Sequence, residues 1–345
     1  MAVAFARMPS SQNPLSKGRI GEDAMCAYYR CIVVCFASIR RWNPNVDLVL
    51  VSADSLPEPF CGQLDRLGVQ IVLAHFGHRP PEGLGKWGGS LFLFDALEKL
   101  RGKGGLQIFI DPDVLCVRPL DDLVASLGEA VGVQGERLQD LQKPSSDKFK
   151  GYRQTCAEMY PELGEATLEH GMYGGHFYAV PERWTPLLLE RIERAWKLSL
   201  VRFEQGRPTF STEEPIMNYA VRAVPVMEMG SYVRSIPTAP WRRFLTDPDI
   251  IRGLTLWHLI HEKDMGFQRM YGCAADPLSW FWRSSPEEFR DKAGAMMSAT
   301  HQTPQRALLN FCGDIIERVT SERAQNRLKP LYTQLVRIST LLRRP

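Results

Sequence analysis

No run of the sequence approaches 18 consecutive apolar residues, so there is no candidate for a helix crossing a bilayer. Cysteine stands at 26, 31, 35, 61, 116, 156, 273 and 312, yet no two form a CxxC pair. That spacing disfavours a zinc site or a disulfide framework. Most of the cysteines lie in apolar runs such as CIVVCFASI (31–39), as small buried hydrophobes of a reduced protein do. Excess charge of one sign is also missing. The net charge of +3 does not call for nucleic acid, and neither RNP-type aromatics nor zinc-finger spacing is present. The short apolar opening of MAVAFARMPSSQ has no basic stretch before it, which makes a poor secretory signal and a good first strand. The expectation is a soluble, cytoplasmic protein. Its 345 residues, 44% of them hydrophobic, can bury roughly three quarters of the unfolded surface.

What is present is alternation. AVAFA (2–6), VDLVLVSAD (46–54), VQIVLAHF (69–76) and QIFID (107–111) read as strands. AMCAYYRCIVVCFASIRRW (24–42), FCGQLDRLG (60–68) and GSLFLFDALEKLRGKGG (89–105) read as helices between them. Such alternation predicts a mainly parallel sheet with helices on both faces. Further on, EAVGVQGE (129–136) and the Gly-rich HGMYGGHFYAV (170–180) suggest strands, and residues 139–170 read as irregular. PERWTPLLLERIERAWKLSLVRFEQG (181–206) is one amphipathic helix, and FSTEEPIMNYAVR (210–222) is a loop entering another. Residues from about 285 onward read as a helical extension. The expected organisation is 1–130, 131–284 and 285–345.

The stretch QIFIDPDVLCVRPL (107–120) drives an apolar strand into Asp111 and Asp113, one on each side of a proline. In extended backbone two such residues share a side, and paired carboxylates repel unless a cation lies between them. The plain alternative is an Asp-Pro turn. Open α/β sheets bind ligands at the carboxyl ends of their strands, where the acid pair falls and where Arg7 follows the first strand.

In the order of these segments, over roughly residues 1–275, the chain resembles A-type nucleotide-sugar glycosyltransferases. These have a Rossmann-like fold with a DxD motif, and the nearest kind is glycogenin and the lipopolysaccharide galactosyltransferases. The resemblance rests on the strand into Asp111-Pro112-Asp113, on YGGHFYAV (173–180), on STEEPIMNYAV (211–221) and on LWHLIHEKD (256–264). It implies a metal held by Asp111, Asp113 and His258, with Asp111 also on the ribose. It implies a donor lined by Lys86, Ser90, Gly174, Gly175 and His176, with Lys263 on phosphate; Arg7, by its place at the strand end, is a further donor-binding candidate. Glu213 and Glu214 are implied at the acceptor chemistry. A UDP-hexose donor, an unspecified acceptor and transferase activity follow, with Mn²⁺ or Mg²⁺ as cofactor; a His ligand favours Mn²⁺. The chain departs from that pattern in having Glu213-Glu214 for Asp-Gln, and in a lysine five residues after His258 with no Pro-Trp following.

Other readings compete residue by residue. His258, between Trp257 and Leu259, suits a core position, and His261 is a rival ligand. Glu213 and Glu214 suit an ordinary acidic first helical turn. A haloacid-dehalogenase-type phosphatase would use Asp111 as nucleophile and needs a later acid pair, for which CGDIIERV offers only Asp314. A sugar-1-phosphate nucleotidyltransferase needs a Gly-rich loop with Lys after the first strand, which MPSSQNPLSKGR does not match. A non-catalytic nucleotide-sugar-binding protein is the third rival. The basic and apolar KPLYTQLVRISTLLRRP (329–345) suits a packed or dimerising helix or a membrane surface.

Overall fold

The computed structural model describes residues 1–7, 22–85, 87–135, 147–165, 173–238, 248–300, 307–308 and 311–312. The strands are β1 (Ala2–Phe5), β2 (Leu48–Ser52), β3 (Val69–Leu73), β4 (Leu106–Ile110), β5 (Val114–Cys116), β6 (Val131–Gly135), β7 (Tyr173–Pro181), β8 (Val226–Glu228), β9 (Val233–Ser235) and β10 (Leu256–His258). Seven of them form the main sheet in the order β3-β2-β1-β4-β7-β6-β8, and β5-β10-β9 form a small second sheet. The first four strands are mutually parallel, as their apolar runs and intervening helices predict. β7 runs antiparallel to both β4 and β6, so the sheet is mixed.

Helix α1 (Glu22–Trp42) accounts for the cysteine-rich apolar run. Cys35, Ile32, Phe36 and Ile39 face the main sheet, while Cys31, Val34 and Ala37 join a separate cluster around Trp257 and Phe267. A helix covered on both sides is apolar nearly all round. Burial pushes the thiols of Cys31 and Cys35 well up, and all eight cysteines are free.

On the opposite face lie α3 (Phe92–Leu100), α5 (Asp147–Glu162), α6 (Thr185–Glu204) and α7 (Glu213–Ala220), packed into one core with Phe109, Tyr178 and Val180. The short helices α2 (Phe60–Arg66) and α4 (Asp121–Leu127) complete the first half. The chain continues through α8 (Pro248–Gly253), α9 (Gly266–Ala275), α10 (Trp280–Arg283) and α11 (Pro286–Met296).

Two segments differ from expectation. Residues 147–162, read as irregular, are helix α5. Its apolar residues are few, and Cys156, Met159 and Tyr160 suffice to dock it on the core. The stretch LTLWHLIHEKDMGFQRMYG (254–272) reads from sequence as mixed strand and loop, but from Gly266 it enters helix α9, anchored by Phe267 and Met270. Beyond α11, most of the anticipated helical extension, including Asp314 and 329–345, lies outside the described residues. Among the described residues, no helix is long and apolar enough to cross a membrane.

Candidate metal and donor site

The acid pair stands where β4 ends. The Asp111 N–H donates to the His176 carbonyl at 3.2 Å, the last rung between β4 and β7, and the Val114 N–H turns back onto the Asp111 carbonyl. Pro112 fixes the backbone at a turn and offers no N–H, so the strand ends there and β5 leaves the main sheet. β5 then pairs antiparallel with β10, opposing His258 to Val114. This register carries the imidazole to the acids across about 145 residues of chain. His258 Nε2 lies 3.4 Å from Asp111 Oδ2 and 3.5 Å from Asp113 Oδ1. One ligand atom from each of Asp111, Asp113 and His258 falls within 4.8 Å of the others.

The environments of the two carboxylates differ. Asp111 is half-buried; desolvation and the Asp113 charge raise its pKa to about 6, against the pull of His258. Asp113 is buried and ion-paired to Lys263 Nζ, and with His258 alongside it stays ionised far below the usual carboxylate range despite desolvation. Two hard oxygens and one imidazole nitrogen suit Mn²⁺ or Mg²⁺, with positions left for phosphate and water.

Behind His258 is a support that sequence reasoning missed. β9 pairs in parallel with β10 and puts Ser235 opposite His258, with Ser235 Oγ 2.8 Å from Nδ1. A ligand imidazole with its second nitrogen so occupied keeps Nε2 free for metal. Only the strand register could have revealed it. Ser235→Ala is expected to weaken Mn²⁺ affinity roughly 10- to 100-fold while the fold persists; titration calorimetry checks this. His176 stacks on His258 with centroids 4.2 Å apart and planes at 23°. Burial and the neighbouring imidazole hold His176 neutral, and its Nε2 is buried without a partner. It therefore sits as a buried ring backing the His258 imidazole.

Across the site, α7 begins with Glu213 and Glu214. Asn218, one turn on, receives the Tyr173 N–H at 2.8 Å and donates to the Tyr173 carbonyl, fastening α7 to the start of β7. The Gly175 N–H donates to Glu214 Oε1 at 3.1 Å. A Cβ on Gly175 would fall 1.9 Å from Glu213 Oε1, so glycine there is a requirement of close approach. Gly174 likewise leaves room for the His176 ring and for Gln134. The obstacle at 175 is the mobile end of a side chain. Gly175→Ala is accordingly expected to melt within a few degrees of wild type yet lose most turnover, because the Glu213 carboxylate must move; paired melting curves and rate assays check it.

Burial, reinforced by the Glu214 charge and opposed by the Ser90 hydroxyl, raises the Glu213 pKa to about 8. Ser90 belongs to a 3₁₀ turn (Gly88–Leu91), and its hydroxyl lies between the Glu213 carboxyl and the Trp87 carbonyl, 2.8 Å from the latter. Glu213 and Asp111 each feel the carboxylates across the site. Tyr28 of α1 is another neighbour that sequence reasoning passed over: the charges of Asp113 and Asp111 help burial to push its phenol up.

Other assigned residues fare differently. Arg7 is exposed just beyond β1, where its charge acts on the Tyr29 phenol. Lys86 lies outside the described residues. Lys263 reaches Asp113, on the acid pair itself. His261 is exposed on the turn Ile260–Glu262 and is not in the ligand group.

No protein-family model matches the chain, and no curated protein does. Among solved structures the chain is similar to mouse xyloside xylosyltransferase 1 in its apo form: 12% identity, 74% of this chain and 96% of that one, TM-score 0.44. It is similar to the galactosyltransferase LgtC in complex with donor and acceptor sugar analogs: 14% identity, 88% and 98% coverage, TM-score 0.47. It is also similar to the bifunctional glycosyltransferase WbbM: 11% identity, 76% and 45% coverage, TM-score 0.46.

Proposed function

We propose that the protein is a metal-dependent glycosyltransferase that moves a hexose from a nucleoside diphosphate sugar, most simply a UDP-hexose, to an acceptor hydroxyl. The observation that carries this reading is the convergence of Asp111, Asp113 and His258 at the end of β4, with Glu213 and Glu214 across from them.

The leaving group of a sugar nucleotide is a diphosphate, and cleavage of the sugar–phosphate bond adds charge to it. A divalent cation, when bound, supplies Lewis-acid stabilisation of that charge. The ligands for it are Asp111, Asp113 and His258, with Ser235 fixing the imidazole. Glu213 and Glu214 then serve the sugar end. In an inverting reaction one of them takes the proton of the acceptor hydroxyl. In a retaining reaction a carboxylate there offsets positive charge on the anomeric carbon. Gly175 brings the sugar-facing strand close enough for either role. The unpaired cysteines suit a reducing compartment.

The pairing of Asp113 with Lys263 counts against a phosphatase reading with Asp111 as nucleophile, since the second acid of such a site must be able to handle a proton. A thermal-shift screen of nucleotide sugars, each with and without Mn²⁺, tests the proposal. UDP-sugars are expected to raise the melting temperature only with the ion present. No nucleotide sugar shifting it under either condition would defeat the reading.

A further inference from the structure

We propose that Lys263 is a built-in counter-ion that holds the acid pair against a bare divalent cation, so that cation and nucleoside diphosphate bind cooperatively. This rests on reading Asp111, Asp113 and His258 as the metal site.

Asp113 is 2% exposed, and an ionised carboxylate that deep must be neutralised by a partner. The partner is Lys263, whose ammonium bonds Asp113 Oδ2 and whose other hydrogen bond, to the Ile260 carbonyl, is long at 3.4 Å. His258 Nε2 stands on the other oxygen, Oδ1, with the Asp111 carboxylate beside it; the charges of Asp264 and Glu214 reach the neighbouring Tyr28 phenol and Asp111 from outside the pair. Lys263 follows the turn Ile260–Glu262 on an unbranched stem, so its ammonium can change partner without backbone movement.

Counting charge gives the consequence. Within the cluster itself, two carboxylates and one ammonium leave one net negative charge. A divalent cation alone turns that into a net positive charge in a buried place, with the ammonium on the carboxylate it must share. A diphosphate restores negative charge and offers the ammonium phosphate oxygens in place of Asp113. Ion and diphosphate therefore assist each other, and by linkage the assistance is mutual. Without the ammonium, two carboxylates and the cation already balance, and the ion depends less on the diphosphate.

The test is Mn²⁺ binding, followed by titration calorimetry and by the electron paramagnetic resonance of free Mn²⁺, for wild type, Lys263→Met and Lys263→Arg, each with and without UDP. Wild type is expected to bind Mn²⁺ more tightly with UDP, within the roughly 5- to 150-fold range usual for coupled sites. Lys263→Met is expected to bind Mn²⁺ alone about tenfold more tightly than wild type and to gain less from UDP than wild type does. Lys263→Arg, which keeps the charge, is expected to resemble wild type. A damaged fold cannot produce tighter binding, so the gain is diagnostic. Lys263→Met binding Mn²⁺ no better than wild type, while wild type still takes the ion with UDP, overturns the counter-ion role and leaves the metal site standing. Wild type taking no Mn²⁺ even with UDP overturns both.

Discussion

Asp111→Ala is expected to fold normally and to lose turnover by roughly a thousandfold, the scale of charge stabilisation that a bound cation contributes. Mn²⁺-dependent UDP binding should disappear with it. Asp111 is the better choice of the two acids for physical reasons. Its side chain is 46% exposed and lies beside another carboxylate, so its removal relieves repulsion and strands no partner. Removing Asp113 would leave the Lys263 ammonium buried and unpaired, a loss of about 3–5 kcal/mol that confuses stability with function. Steady-state rates, UDP titrations with and without Mn²⁺, and a melting curve check the result. Full activity in Asp111→Ala, or in wild type under excess chelator, would remove the cation from the mechanism.

Glu213→Gln is expected to reduce turnover by roughly 10²- to 10⁴-fold, the usual worth of a positioned acid–base group, with donor affinity preserved. The same substitution should make the protein more stable at alkaline pH. Buried beside Glu214, the Glu213 carboxyl has its pKa raised to about 8, against an ordinary value of 4.5. Below pH 4.5 the carboxyl is protonated whether the chain is folded or not, and the stability of the neutral form is fully present. Between 4.5 and about 8 only the unfolded chain releases its proton, so stability falls as pH rises, by about 1.4 kcal/mol per unit. Above 8 both forms are ionised and the slope ends. Glutamine abolishes this dependence. Chemical denaturation of wild type and variant should agree near pH 4.5 and diverge by several kcal/mol at pH 8–9, with the variant the more stable. Parallel pH profiles would show that Glu213 is not held neutral. If Glu213 is the proton acceptor, wild-type turnover should also climb as pH approaches 8.

The first half of the fold was legible because its signals are local. Apolar strands such as LVLVS and LQIFI and the helices between them announce a parallel sheet by period and length alone. The acid pair was legible for the same reason, since Asp111-Pro112-Asp113 interrupts a buried strand. His258 and the Glu213-Glu214 helix start were reached through family resemblance, and their convergence depends on strand registers that no local pattern encodes. The small β5-β10-β9 sheet is made of three-residue strands, too short for any alternation to register. Ser235 went unnoticed for that reason. The contact between Lys263 and Asp113 was not legible because charge on a sequence says nothing of depth. The Lys263 ammonium is buried against Asp113. Gly174 and Gly175 were read as sugar-facing. Their demonstrable work in this structure is to admit the His176 ring and the Glu213 carboxylate.

The central claim is that a divalent cation lies between Asp111, Asp113 and His258 with a diphosphate across it. Crystals grown with Mn²⁺ and UDP, measured at a wavelength where manganese scatters anomalously, test it most directly. The account predicts one strong anomalous peak at coordination distance from both carboxylates and from His258 Nε2, bridged to the UDP phosphates. UDP bound with no such peak, or with the peak elsewhere, would contradict it.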